Sequence, residues 1–213
     1  MRAAIVRGLV VVVVLFAGVG VPVSADASHA ADAGDAPQAT GGTLHQQMNV
    51  SRDPNPGSVT VDVTYTVPAQ VTHLTVDVPT VENGGATVTA LRGFDRVGAA
   101  RFEWDGRTSA PAITFSLDVG EGTSRGVRGV EGEDWAFVVE PNTNVKWSYR
   151  GAEPTYTQDF AVEDEGYVRN HMAFAGAYRE QSITVDGERT TFVLGADAAV
   201  DLSDATNFLD VAH

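Results

Sequence analysis

An all-β fold, an antiparallel β-sandwich of roughly ten strands closed by a C-terminal helix, is what this sequence predicts. Three observations carry that prediction. Apolar and polar residues alternate with a period of two through most of the chain, as they must where one sheet face is buried and the other is wet. Turn-forming pairs such as Asp105-Gly106, Asn83-Gly84 and Asp186-Gly187 punctuate those stretches at close spacing. Only one stretch, close to the C-terminus, carries a helical period.

The first 25 residues read as a secretory signal peptide. Arg2 and Arg7 precede a nearly unbroken apolar run that includes the valines 10–14, and Val23-Ser24-Ala25 has the small residues of a cleavage site. If uncleaved, the same run is just long enough to act as a membrane anchor. Residues 26–42 are rich in Ala, Asp and Gly and hold no large apolar side chain before the domain begins, so they predict a flexible acidic linker. The β-domain is expected to span residues 43–195. Residues 196–213 are expected to form a helix capped at Asp197, with Leu202, Ala205, Phe208 and Leu209 near one face. That helix is equally the expected start of a further domain.

Within the β-domain, Leu44, Met48 and Val50 fall at even spacing and open the first strand. Val59, Val61, Val63, Tyr65 and Val67 alternate with Thr60, Asp62, Thr64 and Thr66, the cleanest strand pattern in the chain. The short link Pro68-Ala69-Gln70 leads to Leu74, Val76 and Val78 on one face, and the two strands are expected to form a hairpin. A turn at Asn83-Gly84-Gly85 leads to a strand over residues 86–94. The most legible stretch follows: Phe102 and Trp104, the turn Asp105-Gly106, then Ile113, Phe115, Leu117 and Val119 alternating with Thr114, Ser116 and Asp118. Trp104 is expected to be a core anchor. Further strands are expected at residues 135–140, 145–149, 156–162 and 167–174. The pair Asp186-Gly187 predicts a hairpin between Ile183-Thr184-Val185 and residues 190–194.

Composition excludes several functions. Acidic side chains number 28 against 14 basic ones, for a formal net charge of -14, and Lys146 is the only lysine. Such a surface stays hydrated where strong salt screens its self-repulsion, so the chain reads as the product of a salt-adapted, haloarchaeal proteome. Arginines are scattered among acids, and no basic patch exists for nucleic acid. With no cysteine, disulfides, thiolate zinc sites and cysteine nucleophiles are impossible.

Chemistry-bearing residues form no motif. His29, His45, His73, His171 and His213 show no i, i+4 pair and no His-Glu-x-x-His. No Gly-x-Ser-x-Gly elbow is present. Glu131, Glu133 and Asp134 cluster, as do Glu163, Asp164 and Glu165, but both read as solvated acidic turns in a chain this rich in carboxylates. Gly120, Gly122, Gly126, Gly129 and Gly132 precede no helix and so form no phosphate cradle. Trp104, Trp135, Trp147, Tyr149 and Tyr156 could line a sugar or peptide groove, although alternating aromatics are more often core. Asn49-Val50-Ser51 is a glycosylation sequon, meaningful only on export. No catalytic, cofactor-binding or metal-ligating residue is assigned, and no cofactor is expected.

The run Phe102-Glu-Trp-Asp-Gly-Arg-Thr, the strand from Ile113 to Val119, Trp135-Ala-Phe-Val-Val, and His171-Met-Ala-Phe-Ala-Gly leading into the hairpin at Asp186-Gly187 together resemble the N-terminal β-domain of secreted haloarchaeal metallopeptidases of the gluzincin type. The likeness spans about residues 59–209 and rests on structural strand-turn-strand pieces. In that family a helical zinc domain with His-Glu-x-x-His and a downstream Glu follows. That motif is absent here, so no catalytic residue carries over. The resemblance implies a non-catalytic accessory module, secreted or at the cell surface. Its expected partner is a peptidase domain or another protein, with no nucleic acid and no membrane after signal cleavage. The module is expected to be either a truncated or split gene product or a β-domain that stands alone. The alternative reading is a free-standing cell-surface binding or adhesion domain.

Overall fold

The computed structural model describes residues 12–14, 42–53, 57–119, 129–131, 134–185 and 188–196. These form sixteen strands and one short helix. In chain order the strands begin with β1 (Val12–Val14), β2 (Thr43–Arg52), β3 (Ser58–Thr66) and β4 (Val71–Asp77). The helix α1 (Pro79–Glu82) comes next, then β5 (Ala86–Arg92), β6 (Phe94–Arg96), β7 (Arg101–Trp104) and β8 (Ala112–Asp118). After these come β9 (Gly129–Glu131), β10 (Trp135–Val139), β11 (Asn144–Tyr149) and β12 (Thr155–Val162). The last are β13 (Gly166–Arg169), β14 (Met172–Gly176), β15 (Tyr178–Val185) and β16 (Glu188–Gly195). Among the described residues no helix is long and apolar enough to cross a membrane.

The chain divides into two compact units, Gly34–Gly176 and the combination of Met1–Ala33 with Ala177–His213. The larger unit holds a five-stranded sheet in the order β12-β2-β3-β8-β5, a four-stranded sheet β11-β4-β7-β6 and a second four-stranded sheet β13-β14-β10-β9. One hydrophobic cluster joins them. The five-stranded sheet contributes Leu44, Met48, Val61, Val63, Ile113 and Phe115 among others; β4, β6 and β7 contribute Leu74, Val76, Phe94 and Phe102; β10 contributes Ala136 and Val138. Period-two alternation produces this arrangement directly, since every second residue of β3 and β8 is buried. Each fully buried Val, Leu, Ile or Phe stabilises by about 1.5–3 kcal/mol.

The smaller unit holds a three-stranded sheet, β1-β16-β15. The hairpin expected around Asp186-Gly187 is present as β15 and β16, paired from Tyr178↔Gly195 to Val185↔Glu188. β1 adds antiparallel to β16. These three valines are the only part of the expected signal peptide that is described. The remainder of residues 1–25, the linker up to residue 41 and the expected helix from Asp197 lie outside the described residues.

Four expectations are corrected. The fold is not wholly antiparallel, because β12 runs parallel to β2. A parallel pair needs a long connection, and about a hundred residues separate these two strands. The strands outnumber ten because several stretches break in two. The segment 167–174 is a hairpin, β13 and β14, turning at Asn170 with φ 53. The segment 86–94 bends at Gly93, whose φ of 67 is left-handed and whose absent Cβ leaves room for Thr108; the chain there passes from the five-stranded to a four-stranded sheet. The expected hairpin between β3 and β4 does not form. β3 is flanked by β2 and β8, while β4 lies in the other sheet between β11 and β7. Pro68 has no N–H for a ladder, and the turn closed by the Val71 N–H on the Pro68 carbonyl carries the chain across the core. Finally, α1 was not anticipated; Pro79 starts it at a position where a missing N–H costs nothing.

Candidate functional site

The even positions of β2 point inward, and one of them is polar. Gln46 is completely buried between Leu44 and Met48. Its Oε1 is met by three hydroxyls, from Tyr65 of β3 at 3.0 Å, Thr143 before β11 at 3.1 Å and Tyr156 of β12 at 3.1 Å. Gln46 Nε2 is buried and has no hydrogen-bond partner among the described residues. Tyr156 also lies 3.3 Å from Gln158 Oε1, and Gln158 Nε2 donates to Glu140 Oε1 at 2.9 Å. The other oxygen of Glu140 accepts from His171 Nδ1 at 2.6 Å, and the Glu140 N–H bonds the His171 carbonyl. A connected polar chain thus runs from exposed His171, through the mostly buried Glu140 side chain, to the buried Gln46 and Tyr65. The Trp147 ring stacks on Tyr156 at 5.5 Å.

This environment holds both phenols neutral. Burial pushes the Tyr65 hydroxyl well above the ordinary value, helped by neighbouring Tyr156. Burial and the Glu140 carboxylate push Tyr156 up to about 12. Neutral hydroxyls at these positions donate hydrogen bonds; they are not bases at physiological pH.

The remaining sequence candidates are dispersed. His45 Nδ1 lies 2.9 Å from Thr157 Oγ1 and its Nε2 lies 3.6 Å from Asp159. Hydroxyl, imidazole and carboxylate are in the order of a nucleophilic triad, but the carboxylate is too far to hold the ring by a hydrogen bond. His73 bonds Thr75 at 2.9 Å and faces Glu103 at 3.5 Å. His29 and His213 lie outside the described residues. Among the described residues, no group of three or more His, Asp or Glu side chains is placed to hold a metal ion. Glu163, Asp164 and Glu165 form an exposed turn; Asp134 is exposed, and Glu133 lies outside the described residues. Of the five glycines, only Gly129 is described, packed in β9 against Val119.

Trp104 is a half-buried anchor packed on the core, with its Nε1 donating to the Thr108 carbonyl at 2.7 Å. Asp105-Gly106 is a turn. Asp105 accepts from the N–H groups of Arg107 and Thr108 and from the Thr108 hydroxyl, and these bonds draw its carboxyl below the usual range. Trp135 stacks on Phe174, and Tyr149 is exposed. Asn49 lies half-buried inside β2, where its Oδ1 accepts from Gln47.

One cleft of about 330 Å³ is lined by Asp77, Glu82, Arg101 and Asn144 among others. Its charges are largely satisfied internally. Arg101 donates to both oxygens of Asp77, at 2.7 and 3.2 Å, and holds that carboxyl below its usual range. Lys146 on edge strand β11 sits 4.0 Å from the same carboxylate.

Periodicity marked position 46 as inward, and a glutamine there was the available signal. Thr143, Gln158 and Glu140 had none, because they meet only once β10, β11 and β12 are in place. No family model matches the chain, and no curated protein is significantly similar to it.

Proposed function

We propose that the chain is a non-catalytic, secreted or cell-surface β-sandwich acting as an accessory module beside a peptidase domain, as in the gluzincin-type metallopeptidases its β-strand motifs resemble. The observation that supports this reading is how its polar side chains are used. Among the described residues, several groups capable of chemistry tie one strand to another. His45 and Asp159 link β2 to β12, His73 and Glu103 link β4 to β7, Asp77 and Arg101 do the same, and Gln46 joins β2, β3 and β12. A module built this way offers a rigid acidic surface, and strong salt would permit its close approach to another domain.

The test mixes the purified chain with the helical zinc domain of such a peptidase in molar salt. A one-to-one complex in sedimentation is expected, with no peptide hydrolysis by the chain alone. Hydrolysis by the chain supplemented with zinc or calcium would overturn the reading.

A free-standing binding domain is the second reading. It is favoured by β5, which among the described residues is an edge strand paired only with β8 and which carries Leu91 at 38% exposure and no acidic residue. Such an edge can accept an extended peptide as an added strand. Binding to cell envelopes without binding to the zinc domain would select it.

A further inference from the structure

The parallel strand β12 poses a register problem. Among the described residues it has one strand neighbour, and its inward residues Tyr156, Phe160 and Val162 are only partly buried. A slip by one residue would turn these outward, and apolar burial forbids that. A slip by two preserves the alternation, so burial alone discriminates against it weakly.

Two local features close the two directions. A slip that places Pro154 opposite Leu44 brings a residue without an N–H into the ladder and loses the bond from the Thr155 N–H to the Gly42 carbonyl. A slip in the opposite sense moves Tyr156 from its place opposite Leu44 to a place opposite Gly42, and Phe160 to Gln46. The Gln46 amide would then face an apolar ring, and Tyr156 would lose its contact with the amide oxygen.

We propose that buried Gln46 is the register pin of β12: its amide oxygen, shared among the Tyr65, Thr143 and Tyr156 hydroxyls, is within reach of Tyr156 only in the observed pairing. An amide oxygen has two lone pairs, so three hydroxyls cannot all donate to it at once. Tyr156 is the member with an alternative, Gln158 Oε1 at 3.3 Å. Two of the three therefore donate at any moment, with Tyr156 alternating between Gln46 and Gln158. A buried polar residue selecting one register over near-equivalent ones is a known use of such groups.

The chain has no cysteine, which makes thiol cross-linking a clean probe. Gln47→Cys with Asp159→Cys reports the observed register, and Gln47→Cys with Ala161→Cys reports the two-residue slip. In the otherwise native chain only the first pair is expected to cross-link. Adding Gln46→Leu is expected to bring up the second pair and to speed amide exchange in β12 by about tenfold relative to β3 and β8. Tyr156→Phe, which keeps the stacking on Trp147, is expected to shift both readouts the same way to a smaller extent, and serves alone if Gln46→Leu does not fold. Exclusive cross-linking of the first pair with unchanged β12 exchange, in whichever variant folds, would overturn the proposal.

Discussion

Strands β3 and β12 belong to one sheet and are held by different means. β3 lies between β2 and β8 and buries Val59, Val61, Val63 and Tyr65 almost completely. Among the described residues β12 has a partner on one side and no fully buried residue, and its ties beyond the ladder are hydroxyl, amide, imidazole and ring contacts to β2, Glu140 and Trp147. Apolar area fixes a central strand because any displacement exposes several side chains together. An edge strand lacks that area, so a few directional polar contacts decide its place.

The comparison breaks most visibly at β8, which pairs with β3. Phe115→Ala should cost about 3–5 kcal/mol in denaturant unfolding, because the cavity opens where both neighbours are rigid. Alkali should come next and act on the polar cluster. Tyr65 and Tyr156 are raised above the ordinary 10.0, so the unfolded chain loses its phenolic protons first. Their contribution is whole below pH 10 and should fade as pH rises through about 12 for Tyr156. Tyrosinate absorbance followed together with unfolding checks this. Tyr65→Phe should cost about 1 kcal/mol and blunt the alkaline loss, since Gln46 Oε1 keeps two other donors. Smallest of all should be Asp77→Asn, which removes an exposed ion pair, with any loss shrinking further in molar salt. The Arg101 bond depresses the Asp77 carboxyl, so the contribution it does make is present above pH 3.8 and lost as pH falls below it.

Much of the sheet was legible because period two is a local property. Ile113, Phe115, Leu117 and Val119 alternate in sequence and are all buried, and Asp105-Gly106 turns as its residues require. The β15–β16 hairpin was legible too, since a two-residue turn leaves little choice of partner. The same reasoning failed for β3 and β4. Alternation says which face of a strand is buried and nothing about which strand lies beside it, and a three-residue link containing proline can cross a core as readily as reverse a ladder. Of the candidate site, Tyr65, Tyr156 and His171 were named from the sequence without being brought together, and Gln46 was missed although the even spacing of Leu44, Met48 and Val50 implies its inward position.

By itself, then, the sequence determined a β-rich chain with an acidic surface and alternating faces, because side-chain period, turn chemistry and net charge need no distant partner. Only the tertiary structure decided that β3 and β4 part into different sheets, that β12 enters parallel to β2, and that Gln46, Tyr65, Thr143 and Tyr156 share one buried contact. Those outcomes depend on residues about 110 positions apart coming together, which local patterns do not encode.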